Sequence, residues 1–578
     1  MTIEGATLNI EKSSLTAELS DGIAKIVSEW KSSEQIKRLW SRDPSIWTGS
    51  EEDKYLGWLD IPSEQLSDLF ALQALQLEVT KNNFSDVVLL GMGGASLSSE
   101  VLRFSFGDVP GFPDFKVLDS TDPEQVASIE ERINLKRTLF IVSSKSGTTI
   151  EPNILYRYFN KKVQEQLESK RTGKQFVAIT DPGSVLESLA VKAGFKHVYH
   201  GIPSIGGRFS ALSNFGMVPA AVMGLDIERL LRGAQTMQNA CRENISIEDN
   251  PGAMLGLTLG VASKTGREKI TFVISPGVRG LGGWLEQLLA ESIGKKGIGL
   301  MPVDGETIAD PSVYGNDRLF VYIRDSSTSN QKQDQSVLDL EKSGQPVLRL
   351  VLRNNYDLGM EFFRWEFAAA VAGSVLQINP FDQPDVELSK LQTKRLTDTY
   401  EKNGAFSIEK PLALDDSIEV YADDFNSKCL QSISSGTSVE QLVRAQLRRL
   451  KPGDYLGVLA YINMSADNQA KLLRLRHVVR DRFGVATCVG FGPRFLHSTG
   501  QLHKAGKNLG VFFQITCEDA ADLSVPGSNY SFSVVKEAQA RGDFDILASR
   551  KRRILRLHIK GNVSKGLNRI IKFIESQK

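Results

Sequence analysis

The sequence predicts an α/β protein: two doubly wound, parallel-sheet domains, a helical lead before them and a further α/β domain after them. Three observations predict this. From about residue 85, strand-like and helix-like runs alternate with short connections, the pattern of parallel strands covered by helices on both faces. A second such unit starts from about residue 210. A third α/β run begins at about residue 420. The expected divisions are 1–80, 81–205, 206–415 and 416–578.

The lead is polar and amphipathic. AELSDGIAKIVSEWKSSEQIKRLW (17–40) spaces its apolar residues by three and four, as one helix face requires. DVVLLGMGG (86–94) then reads as a strand running into a glycine turn. FKVLDSTDP (115–123) and TLFIVSSKSG (138–147) read as strands separated by helical EQVASIEERIN (124–134). QFVAITDPGS (175–184) is a strand and turn, followed by helical VLESLAVKAG (185–194) and strand-like HVYHG (197–201). In the second unit KITFVISPG (269–277) and RLFVYIRD (318–325) are strands, and LGGWLEQLLAESIG (281–294) and EFFRWEFAAAVAGSVL (361–376) are helices. Residues 391–420 are more polar and less periodic, and are expected to form a boundary. The tail offers YLGVLAYI (455–462), helical ADNQAKLLRLRHVVRDRFG (466–484) and ATCVGFG (486–492).

Composition bounds the function classes. The 578 residues carry 69 Lys plus Arg against 69 Asp plus Glu, so no charge excess argues for nucleic acid or an anionic membrane. Cys241, Cys429, Cys488 and Cys517 are scattered without CxxC spacing, the usage of a reducing compartment without disulfides or a zinc site. The N-terminal residues lack a basic-then-apolar signal, and no apolar run approaches the ~20 residues of a bilayer span. These features lead to an expected cytoplasmic, soluble protein with no nucleic-acid or membrane partner. No His/Asp/Glu set has metal-ligand spacing, so no metal is expected.

The loop SSKSGTT (143–149) places hydroxyl residues on both sides of one glycine at the end of a strand-like run. Ligands of open parallel sheets bind at the carboxyl ends of strands. A loop that opens a helix there offers unpaired N–H groups and the positive end of the helix dipole, both suited to phosphate. Ser144, Ser146, Thr148 and Thr149 add hydroxyl donors, Gly147 lets the backbone approach closely, and Lys145 adds a charge. The competing reading is a Ser/Thr-capped helix without a ligand. Walker-loop spacing is absent. The earlier turn, Gly91-Met92-Gly93-Gly94-Ala95-Ser96, lacks the G-x-G-x-x-G spacing and the acidic residue about 20 positions on that a dinucleotide site requires. With Gly93, Gly94 and Ser96 it suits a sugar or phosphate instead.

GMGGASL, VLDSTDP, SSKSGTT, GGRFS (206–210), ESIGKK (291–296) and NPFDQPDVELSK (379–390) come in the order found in glucose-6-phosphate isomerases. The chain resembles that family over roughly residues 85–390. RLWSRDPSIWTG and YLGWLDI near the start, with GFGPRFLHSTGQLHKAG near the end, resemble the isomerase part of bifunctional transaldolase/glucose-6-phosphate isomerase proteins. The resemblance implies the sugar-isomerase (SIS) fold and interconversion of glucose 6-phosphate and fructose 6-phosphate through a cis-enediol, without a cofactor. It also implies site residues. Glu291 matches the catalytic base, against a surface glutamate paired with Lys295 or Lys296. Arg208 matches the arginine that faces the enediolate, against a structural ion pair. Gln383 and Lys390 match residues that contact substrate and assist ring opening. Ser144, Ser146, Thr148 and Thr149 hold the phosphate.

Two departures stand out. Many family members carry a substrate-touching serine where this chain has Ala95, with Ser96 next. The ring-opening histidine of the family follows the glutamate, yet no histidine lies between Glu291 and Lys390; the six are His197, His200, His477, His497, His503 and His558. Gly500-Gln501-Leu502-His503 loosely echoes the missing segment, so His503, ahead of His497, is the expected acid/base. In usual family members that histidine comes from a second subunit, so a homodimer or an active monomer is compatible with this sequence. The rival readings are an isomerase that also takes mannose 6-phosphate and a sugar-phosphate sensor without catalysis.

Overall fold

The computed structural model describes residues 7–8, 13–168 and 172–576. These divide into two compact units. The first takes the described residues of 1–119, 132–305 and 318–382, and the second those of 120–131, 306–317 and 383–578.

The first unit holds strands β1 (Thr7–Leu8), β2 (Asp86–Leu90), β3 (Asp114–Leu118), β4 (Thr138–Ser143), β5 (Phe176–Thr180), β6 (His197–His200), β7 (Lys269–Ile274), β8 (Met301–Val303), β9 (Arg318–Asp325) and β10 (Val347–Leu352). They form two five-stranded sheets, in the orders β3-β2-β4-β5-β6 and β1-β10-β9-β7-β8. Every pair in the first sheet is parallel. In the second only the edge pair β1–β10 is antiparallel. β2, β4 and β5 are buried along their whole length, as strands covered on both faces must be. Val87, Leu139 and Ile141 of the first sheet and Ile270, Val321 and Leu350 of the second share one continuous apolar core.

The second unit holds β11 (Ala413–Leu414), β12 (Ile418–Tyr421), β13 (Tyr455–Tyr461), β14 (Ala486–Phe491), β15 (Gly510–Cys517) and β16 (Arg553–Ile559). They form one mixed sheet in the order β11-β12-β16-β15-β13-β14, with its own apolar core around Val458, Phe513 and Leu557.

The strands and helices read from periodicity are present where expected, with two differences. Thr7–Leu8 forms an edge strand inside the expected helical lead. Residues 391–403, read as part of an aperiodic boundary, belong to one continuous helix, Pro384–Asn403. Its buried residues are Asp385, Val386, Ser389, Thr393 and Thr397, and apart from Val386 they recur at intervals of four. Small polar residues bury there because the helix runs close to helix Phe532–Ser549, where a Cβ on Gly542 would come within 3.6 Å of the Thr393 backbone nitrogen. Among the described residues no helix is long and apolar enough to cross a membrane.

Candidate active site

The hydroxyl loop leaves β4 and opens helix Ile150–Leu167. Thr149, the N-cap, makes no side-chain cap hydrogen bond, whereas Ser184 does cap the next helix, Val185–Ala193. The first N–H groups of Ile150–Leu167 are therefore left uncapped by Thr149, which speaks against the simple cap reading. Gly147 is at φ +70°, and a Cβ there would lie 2.3 Å from the Leu186 nitrogen. Gly147 N–H donates to Ser144 Oγ at 3.2 Å, and Asn153 holds the Gly147 carbonyl at 2.9 Å. Ser146 and Thr148 are exposed, their hydroxyls 2.7 Å apart. Ser144 is buried, with its Oγ 3.5 Å from Thr149 Oγ1. Lys145 is drawn back from this rim: its ammonium sits 2.8 Å from Asp181 and donates to the Ile202 carbonyl. Burial pushes its pKa down, and Asp181 opposes that shift.

The glycine turn packs directly on the arginine segment. A Cβ on Gly94 would fall 2.2 Å from the Gly207 carbonyl carbon and 2.7 Å from the Arg208 nitrogen, so this contact admits only glycine. Gly93 adopts φ +57°. Ser96 is fully buried, and its hydroxyl turns inward to the Gly93 carbonyl (3.1 Å) and Asp119 (3.4 Å). It does not replace the hydroxyl that Ala95 lacks.

Arg208 and Glu291 meet in the first unit. Glu291 stands in the last turn of helix Leu281–Ile293, where the carbonyl ends of the helix disfavour a carboxylate. It is 4% exposed, not a surface glutamate. Gln287, one turn earlier on the same face, donates to Glu291 Oε2 at 3.4 Å. Arg208 is 1% exposed, and its Nη1 is 3.5 Å from Glu291 Oε2. Its remaining geometry is set by Ser292 Oγ (2.8 Å from Nε) and by the carbonyls of Pro380 (2.5 Å) and Asp382 (3.0 Å) at Nη2. Burial lowers the guanidinium pKa, and the Glu291 and Asp382 carboxylates counter it.

Lys295 lies four residues beyond Glu291. Its ammonium donates to the Asn379 carbonyl (2.6 Å), the Asp382 carbonyl (2.5 Å) and Asp382 Oδ1 (2.5 Å). Burial, then the nearby Arg208 charge, lower its pKa to about 7. Two buried cations thus face two carboxylates. The sequence does not mark Ser292, Lys295 or Asp382 as functional, whereas Gln287 is legible as the i−4 neighbour of Glu291 on one helix face.

The other expected residues belong to the second unit. Gln383 is the N-cap of Pro384–Asn403, and Lys390 on that helix is half-exposed, its ammonium 2.8 Å from Glu387. His497 is partly exposed in the turn Arg494–His497. His503 is sealed between Tyr455 and Phe512: it is 2% exposed, Nδ1 lies 2.9 Å from the Tyr455 hydroxyl, and Nε2 is buried without a hydrogen-bond partner. Burial holds its pKa down to about 3. Such a ring stays neutral and has no open nitrogen for proton exchange. Among the described residues no group of three His, Cys, Asp or Glu side chains could hold a metal ion.

The phosphoglucose isomerase family model matches residues 76–315, which include the glycine turn, the hydroxyl loop, Arg208 and Glu291. A probable glucose-6-phosphate isomerase of Methanococcus maripaludis is 29% identical over 375 residues, covering 58% of this chain and 82% of that protein. The glucose-6-phosphate isomerase of Mycoplasmopsis pulmonis is 26% identical over 381 residues, 58% of this chain and 88% of its own. Among solved structures, a hypothetical protein of Thermus thermophilus is similar with a TM-score of 0.58 and 24% identity, over 66% of this chain and 99% of that one. A glucose-6-phosphate isomerase of Chlamydia trachomatis gives 0.52 and 22%, over 59% and 74%. These structural likenesses bear on the fold.

Proposed function

We propose that this chain, which carries a phosphoglucose isomerase region over residues 76–315, interconverts glucose 6-phosphate and fructose 6-phosphate. The observation that carries the proposal is the buried Arg208–Glu291 pair, 3.5 Å apart, inside the matched region. A pair sealed from water is built for charge that appears during a reaction, since electrostatic interactions strengthen when solvent is excluded.

In the proposed reaction the Glu291 carboxylate removes the C2 proton of the open-chain aldose. The C–H electron pair forms the C1=C2 bond of a cis-enediolate, and the former carbonyl oxygen takes the negative charge. Arg208 stabilises that charge. Return of the proton from Glu291 to C1, with transfer of the hydroxyl proton from O2 to O1, gives the ketose. Glu291 is buried in the last turn of a packed helix, so the base is positioned before substrate arrives. Ser144, Ser146, Thr148 and Thr149, with the uncapped start of Ile150–Leu167, are proposed to hold the phosphate; Gly93 and Gly94 bring the backbone close to the sugar. On the resemblance Gln383 and Lys390 are assigned to substrate contact and ring opening, and His497 is proposed as the acid/base from the loop that loosely echoes the missing histidine segment. His497 replaces His503 in that role because His503 is sealed. A cytoplasmic location, and a monomer or homodimer, are part of the same proposal.

The test is glucose 6-phosphate formation from fructose 6-phosphate, followed through a coupled dehydrogenase, for wild type and Glu291→Gln. Loss of about 10²–10⁴-fold in kcat with sugar-phosphate binding retained is the expected result. A wild type that binds both sugar phosphates and turns over neither would identify a sensor instead.

A further inference from the structure

The motif NPFDQPDVELSK begins with a turn, Asn379–Asp382, that the proposed chemistry has not used. Its backbone oxygens are acceptors for two buried cations beside Glu291, Arg208 and Lys295. Arg208 Nη2 takes the carbonyls of Pro380 and Asp382, and Lys295 Nζ takes those of Asn379 and Asp382. The Asp382 carbonyl is shared, 3.0 Å from one cation and 2.5 Å from the other. The turn is braced internally as well: Asn379 Oδ1 accepts from the Phe381 N–H at 2.8 Å.

An ammonium has three donors. Asn379 O, Asp382 O and Asp382 Oδ1 take all three of those on Lys295. In its charged form Lys295 therefore has no proton left to aim at a substrate, and its work is mechanical. Arg208 depends on that work. Two of its contacts are carbonyls of the turn, and a guanidinium keeps its plane only while its acceptors keep theirs. Without Lys295 the carbonyls of Asn379 and Asp382 lose the donor that holds them, which frees the turn to rearrange.

We propose that Lys295 is a positioning residue for the isomerisation: it pins the Asn379–Asp382 turn so that the turn's carbonyls hold Arg208 in the plane that faces Glu291. This inference rests on the isomerase reading above. Because Arg208 acts on charge that develops only in the transition state, loosening it lowers kcat and leaves KM, which the hydroxyl loop sets, nearly unchanged.

The experiment compares wild type, Lys295→Met, Lys295→Arg and Asp382→Asn as full-length chains, by steady-state kinetics with fructose 6-phosphate and by thermal unfolding. Asp382 is half-exposed, so its variant keeps the buried lysine in place even where Lys295→Met does not fold. The expected result is a kcat at least about 30-fold lower in Lys295→Met and about 3–10-fold lower in Asp382→Asn, with KM within threefold. Lys295→Arg, which keeps the charge and donors, should recover a measurable part of the Met loss. Variants whose kcat equals wild type, or whose KM and kcat fall together with the melting temperature, overturn the positioning role. A wild type without turnover overturns the isomerase reading, and this inference with it.

Discussion

Arg208 Nη1 stands 3.5 Å from Glu291 Oε2, while the other end of the guanidinium is gripped at 2.5–3.0 Å by two carbonyls. The short contacts belong to the scaffold and the longer one to the proposed base. An arginine held this way is fixed by its fork, with the edge toward Glu291 less tightly engaged. Lysine at the same place could not reproduce the fork, since its ammonium is a single point of charge on a flexible stem.

Arg208→Lys should therefore lower kcat by about 10²–10³-fold, the scale seen when one fixed donor to a developing oxyanion is removed. KM for fructose 6-phosphate should stay within a few-fold. A kcat within threefold of wild type would show that the guanidinium's geometry is unimportant to the reaction.

The hydroxyl loop should behave in the opposite way. Thr148 is exposed at its rim, and among the described residues its hydroxyl has a local partner, Ser146, at 2.7 Å. A hydrogen bond to a charged group contributes about 1.5–3 kcal/mol. Thr148→Ala should raise KM by roughly 10–100-fold, leave kcat unchanged, and weaken competitive inhibition by inorganic phosphate in parallel. Unaltered phosphate inhibition would place the phosphate elsewhere.

Much of this was legible in the sequence because the signals are local. The runs that became β2, β4 and β5 are apolar throughout and end at turns, and SSKSGTT displays its chemistry in seven consecutive residues. Glu291 and Arg208, 83 positions apart, could be paired only through a resemblance. Lys295 reads in the sequence only as a surface partner for Glu291, since nothing local reveals that its acceptors include backbone oxygens 84 and 87 residues away. The buried face of Pro384–Asn403 is not legible in the sequence because hydrophobic periodicity does not register Ser389, Thr393 and Thr397. His503 is the reverse case: a histidine in a loop that resembles a catalytic segment, whose ring is enclosed by packing.

The depressed pKa of Lys295 makes stability depend on pH with a definite sign. In the folded chain the group titrates near 7, against 10.5 for an ordinary lysine. Between those values the unfolded chain binds the proton and the folded chain does not. This group alone therefore raises unfolding free energy as pH rises from about 7, by up to about 1.4 kcal/mol per pH unit. Urea midpoints at pH 7, 8 and 9 for wild type and Lys295→Met should show the two proteins diverging in slope, with the alkaline gain confined to wild type. Parallel slopes would mean that Lys295 keeps its proton in the fold.

His503 permits the sharpest separation of sequence expectation from structure. Its ring is enclosed by Tyr455 and Phe512, with Nε2 unpartnered and Nδ1 2.9 Å from the Tyr455 hydroxyl. Phenylalanine fits such a place as an apolar plate. The substitution removes one buried unpartnered nitrogen and leaves one buried hydroxyl unpaired, two effects of about 1–3 kcal/mol each and opposite sign. His503→Phe should consequently fold with a stability near that of wild type at neutral pH and retain kcat within about threefold. The pH dependence should change instead. The folded pKa, about 3, lies below the ordinary 6.5, so the unfolded chain binds the proton first. The stability that this implies is complete above about pH 6.5 and is lost as pH falls toward 3, at up to about 1.4 kcal/mol per pH unit. Acid unfolding followed by circular dichroism should therefore begin at lower pH in His503→Phe. A variant that folds normally but loses more than about 100-fold in kcat would restore His503 as the acid/base of the reaction, and would require its ring to leave the enclosure described here.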